Sequence, residues 1–189
     1  MLESGLGIAV DAQAWDTEAL AALAAGDFTR TRHLFEKVLA VWRSLDNTDE
    51  TIYGLLHITQ MMRFAPGYDP AVARPLLEEA WQLAHQEGME GCTKPVKINL
   101  AIIALEEKEY SKALHYGQQL LAESLQTSDH EGAAAMFWLI GIAGAGLGYT
   151  EEGLQLYAAG TAWRERLQAP EQPPYILEHH RQLLAPARG

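Results

Sequence analysis

Apolar residues recur along this chain at steps of three and four, the spacing of one face of an α-helix, and no stretch alternates with the period of two that a half-buried strand requires. Trp15, Ala19, Ala22 and Leu23 fall on one stripe, the chain turns at Gly26-Asp27, and Leu34, Phe35, Val38, Leu39 and Trp42 form a second stripe. The same order of stripe, turn and stripe returns three times. Ile52, Leu55, Leu56, Ile58, Thr59 and Met62 precede Leu76, Leu77, Ala80, Trp81 and Ala84 across a turn at Pro66-Gly67. Ile98, Leu100, Ala101, Ile102 and Leu105 precede Ala113, Tyr116, Leu120 and Leu121, and Phe137, Ile140, Gly141, Gly144 and Leu147 precede Leu156, Tyr157, Gly160, Trp163 and Leu167.

The four segments align on a small residue just past each turn: Thr31, Ala73, Ala113 and Gly153, spaced 42, 40 and 40 residues apart. A period this regular is the signature of a helical repeat array. Polar breaks at Asp46-Asn47-Thr48-Asp49, from Glu87-Gly88 to Lys94-Pro95, and at Thr127-Ser128-Asp129 separate the hairpins with capping and breaking chemistry. The pattern predicts an all-α fold, an α-α superhelix of four helical hairpins over roughly residues 12–46, 49–87, 94–126 and 129–168 in a single domain. After Pro170, Pro173 and Pro174, a short closing helix at about 175–184 is expected to cover the open end, because the last hairpin otherwise exposes an apolar face.

Asn99-Leu100-Ala101, Ala104, the turn Glu109-Tyr110 and Ala113 resemble the tetratricopeptide-like helical repeat, in which Asn-Leu-small lies on the first helix and aromatic-x-x-Ala on the second. The period exceeds the common repeat of about 34 residues. That length, the stretch from Tyr149 to Leu167 and the Pro-rich approach to the last helix resemble the C-terminal sensor solenoids of bacterial LuxR-type and maltose-activator-type transcriptional regulators. Pro70 stands where the family has an aromatic and Lys108 where it has Gly, which bears on turn geometry. The resemblance covers roughly Trp15 to Leu184 and implies architecture, since such repeats serve many functions.

Composition narrows the functions. Of the 189 residues, 14 are Lys or Arg and 25 are Asp or Glu, a net charge of -11 that repels phosphate backbones, so no direct nucleic-acid binding is expected. The apolar stretch from Ala133 to Leu147 is too short for a bilayer, no signal-peptide pattern opens the chain, and a cytoplasmic location is expected. The one cysteine, Cys92, excludes an intramolecular disulfide and a Cys-built zinc site and reads as a bystander thiol.

Catalytic patterns fail on spacing. The run Ile140 to Gly148 lacks the Gly-x-Gly-x-x-Gly of a dinucleotide loop, and its glycines at 141 and 144 suit close helix packing instead. His33, His57, His85, His115 and His130 are scattered, and adjacent His179 and His180 point to different sides of a helix, so no two-His metal pair forms. Neighbouring carboxylates such as Glu106-Glu107 and Glu151-Glu152 do not face each other. No catalytic residue, metal or cofactor is assigned.

What remains is the face of the first helices, which repeat arrays present as a concave groove. Ile98, Asn99, Ile102, Glu106, Phe137 and Trp138 are the candidate ligand-binding residues. The first helices offer only Arg63, Lys94 and Lys97 as cations, too few to clamp an acidic peptide tail. The expected role is a non-enzymatic protein or peptide binding module, or alternatively an effector-sensing arm that binds a small molecule. The weakly apolar, Gly-containing segment Met1 to Val10 gives the first hairpin no dedicated cap, so homodimerisation through that hairpin or a preceding repeat is expected.

Overall fold

The computed structural model describes residues 2–64, 68–171 and 174–185; the expected Pro66-Gly67 turn and Pro173 lie outside them. Every regular element among the described residues is a helix: α1 (Leu2–Ala24), α2 (Phe28–Ser44), α3 (Thr48–Phe64), α4 (Pro70–Gln86), α5 (Glu90–Glu106), α6 (Tyr110–Gln126), α7 (His130–Gly146), α8 (Thr150–Arg166) and α9 (Pro174–Leu184). The fold is all-α, as the hydrophobic periodicity predicts.

The period is finer than the sequence pattern alone indicates. Helices α2 to α8 are each 17 residues long and begin at 28, 48, 70, 90, 110, 130 and 150, a step of 20 residues broken once by 22. Both helices of a hairpin, and the connection between hairpins, therefore obey one rule. Its cause is a shared turn. Gly26, Asp46, Gly88, Lys108, Ser128, Gly148 and Gln168 all take positive φ, between 50° and 97°. At each, the next residue's N–H reaches back five residues, as from Asp27 to Ala22 O, Glu109 to Ala104 O and Ala169 to Arg164 O. This is the Schellman closure, in which a left-handed residue satisfies the last carbonyls of a helix.

The residue that closes one helix then opens the next. Asp27, Asn47 and Asp129 accept through their side chains from the N–H groups of Arg30, Glu50 and Gly132, each three residues on, which satisfies an orphan donor of the new helix. Lys108 follows the same geometry with φ 62°, so the departure from Gly there leaves the turn intact at an energetic cost. Lys108→Gly is accordingly expected to stabilise the protein by about 0.5–1 kcal/mol, raising Tm by about 1–4 °C in a thermal melt. An unchanged or lower Tm would show that the left-handed lysine carries no strain.

Cα packing groups the chain into two compact units, Met1–Val96 and Lys97–Gly189, whose boundary falls inside α5. In the first unit α2 packs on α1 and α3, and α3 on α4. Ala12, Val38 and Trp42 are buried together, with Trp15, Val41 and Leu45 against them. Helix α1 starts at Leu2, so the first hairpin extends well ahead of Trp15. Helix α5 starts at Glu90, which puts Cys92 in its first turn, buried, and Pro95 inside the helix rather than in a polar break.

In the second unit α7 is the central element, flanked by α6 and α8, with α9 laid on it. The second helices share one buried seam at steps of four, three and four: Ala73, Leu77, Ala80 and Ala84 in α4, then Ala113, Gly117, Leu120 and Ser124 in α6. The aligned small residues Thr31, Ala73, Ala113 and Gly153 head these seams and are all buried. No helix among the described residues is long and apolar enough to cross a membrane.

Candidate functional site

All six candidate groove residues belong to the second unit. Ile98, Ile102 and Glu106 stand at steps of four along α5 and so share one face, each of them half-buried. Asn99, one residue round, is buried at 3% exposure. Phe137 and Trp138 are directed toward α8: Phe137 meets the Trp163 ring edge-on at 5.4 Å, and the buried Trp138 donates its indole N–H to Thr161 Oγ1 at 2.9 Å. The structure thus brings together the three α5 residues and sets the α7 pair into a neighbouring ring cluster.

Helix α9 joins that cluster through His180. His180 meets the Trp138 ring at 5.2 Å and the Tyr157 ring at 5.8 Å, both edge-on, and its Nδ1 lies 3.2 Å from the Tyr157 hydroxyl. The Arg164 guanidinium stacks over Trp138 at 5.1 Å, donates to Glu131 Oε1 at 2.8 Å and donates to the Pro170 carbonyl at 3.0 Å. The neighbouring imidazole goes the other way: His179 Nε2 is 3.0 Å from Glu106 Oε1, whose side chain is only 7% exposed. Adjacent residues on a helix diverge by about 100°, as the sequence suggests, yet both imidazoles here find inward partners. The adjacency of two histidines in the short terminal helix was the signal in the sequence for this cluster.

Burial is the larger cause, and the nearby His179 the smaller, of an imidazole pKa at His180 pushed down to about 4. The folded form therefore holds His180 neutral while the unfolded chain protonates it near 6.5. A depressed histidine leaves stability intact above pH 6.5 and withdraws it as pH falls toward 4, by about 3 kcal/mol in all if the whole shift is expressed. Urea midpoints measured between pH 7 and 4 should fall more steeply for the wild type than for His180→Gln, which keeps a polar group but does not titrate. Parallel curves would exclude His180 as the source. The comparison is needed because Glu106, Glu131 and His179 face the same cluster and are present in both proteins.

Among the described residues no group of three or more His, Cys, Asp or Glu side chains is arranged to hold a metal ion. Chemically the site combines apolar area, aromatic edges and a few oriented polar groups. No protein-family model matches the sequence, and no curated protein matches it.

Proposed function

We propose that this chain is a non-enzymatic binding module of the tetratricopeptide-like class, which takes a protein or peptide partner on its first-helix face. The observation that carries this reading is the single face of α5 on which Ile98, Ile102 and Glu106 line up in the second unit, two apolar contacts followed by one carboxylate. A helix-in-groove interface uses such anchors, with apolar area for affinity and a charge for register. Capture by the full-length chain, compared with Ile98→Glu and Ile102→Glu, tests it. A partner held by the wild type and lost by both variants supports the reading, whereas a partner retained undiminished by folded variants overturns it.

The second reading is the effector-sensing arm of a bacterial regulator of the LuxR or maltose-activator type. It draws on the 20-residue step, which makes each two-helix hairpin 40 residues, longer than the common tetratricopeptide unit of about 34 residues. Trp138, ringed by Tyr157 and His180, supplies its reporter. Saturable quenching of intrinsic tryptophan fluorescence by one member of a metabolite panel favours a small-molecule effector. A flat response across the panel favours the protein-partner reading.

A further inference from the structure

The Glu106 end of the face assigned to a ligand is already occupied, by this chain's own α9. A helix that simply continued the array would sit beyond α7 and α8, with α7 separating it from α5. Helix α9 instead lies on α7, and its His179 reaches across to Glu106 at the end of α5. Leu184, 1% exposed, is sunk in the cluster that joins Ala101 and Leu105 of α5 to Leu139 and Ile142 of α7. Ile102 packs against the same cluster. The segment is amphipathic in the required sense: Ile176, Leu177, His180, Leu183 and Leu184 are turned inward at helical spacing, while Glu178 and Arg181 pair on the solvent side at 2.5 Å.

We infer that α9 is a displaceable intramolecular ligand, which keeps the first-helix face of the second unit closed until an amphipathic helix of similar pattern replaces it. The inference rests on the binding-module reading above and adds the class of partner and the means of regulation. Two features make α9 releasable. It has 11 residues, below the length of about 12–15 at which an isolated helix holds its own structure in water, so its docking must also supply the cost of folding it. Its seat includes the His179–Glu106 pair and the neutral His180, groups whose desolvation offsets much of what they gain on docking while still fixing its register. A longer partner helix, already formed, would bring the same apolar pattern without the folding cost.

The probe is a fluorescein-labelled synthetic peptide with the sequence of residues 174–185, followed by anisotropy on the full-length chain. In the wild type the peptide meets a face that is open only part of the time, so its apparent affinity is reduced by that fraction. In Leu184→Asp and in His180→Arg, each chosen to dislodge α9, binding should tighten by about tenfold or more. Hydrogen exchange on the unaltered protein gives a second, independent readout: amides of α9 should exchange about tenfold or more faster than those of α7, which shows that α9 opens alone. Peptide binding no tighter in a folded variant than in the wild type overturns the inference. So does exchange of α9 only together with α7 and α8, and that result decides the matter even if both variants fail to fold. The two failures are separable, because a partner captured undiminished by Ile98→Glu and Ile102→Glu removes the underlying reading whatever α9 does.

Discussion

Gly141→Leu is expected to destabilise the second unit by about 3 kcal/mol or more, enough to lower its urea midpoint far outside experimental scatter. The reason is backbone against backbone. A Cβ at Gly141 would lie 2.6 Å from Gly153 O and 2.8 Å from Tyr157 N, and a Cβ at Gly153 would meet Gly141 O at 2.5 Å. Main-chain atoms in two helices cannot swing aside as a side chain can, so α7 and α8 must separate, and the contacts on either side of the crossing separate with them. Gly144 is the internal control. It lies on the same helix, one turn on, yet its Cβ would meet nothing nearer than Gly153 Cα at 3.9 Å. Gly144→Ala should therefore be neutral or stabilising by about 0.5–1 kcal/mol, since alanine restores helix propensity. Equal losses at both positions would mean that α7 and α8 do not cross where the structure has them.

The same contrast shows how far the sequence could be read. Small residues at 141 and 144 signal close helix packing, but only the register of α8 decides which of them bears it, and nothing in the local pattern of Gly153, Tyr157 and Gly160 sets that register. The 40-residue period was legible because Thr31, Ala73, Ala113 and Gly153 are all small, and all four are buried. The 20-residue step was not, because its marker is a backbone angle. Asp46, Lys108, Ser128 and Gln168 adopt the left-handed turn as Gly26 does, and four unrelated side chains hide one geometry. Helix boundaries suffered from the same cause: Pro95 reads as a break, yet it is the sixth residue of α5, as Pro75 is of α4. For the candidate site, Ile98, Ile102 and Glu106 follow from helical phase alone. The closing role of α9 was legible from the apolar face left by the last hairpin, but its reach to Glu106 was not. That contact joins residues 73 positions apart and depends on how α7 carries α9, which no local spacing encodes.

Ala113→Arg provides the second large effect, with an expected loss of about 3 kcal/mol or more. Ala113 is fully buried at the head of the α6 seam, in the cluster with Ala101, Ala104 and Leu105. What the substitution lacks is visible at Arg164, which is also buried and occupies the α8 seam at the place held by Ala84 in α4 and Ser124 in α6. Arg164 is accommodated because Glu131, the Pro170 carbonyl and the Trp138 ring satisfy its guanidinium from three directions. A guanidinium at 113 would meet alanine and leucine side chains instead, and a buried charge without partners costs more than the packing it displaces. Chemical denaturation of the full-length chain decides the point. A loss below about 0.5 kcal/mol would mean that residue 113 faces water and that the seam runs elsewhere on α6. Ala113→Leu separates the two contributions, because it overfills the same space without a charge; the part of the arginine loss that leucine does not reproduce belongs to the unpaired cation.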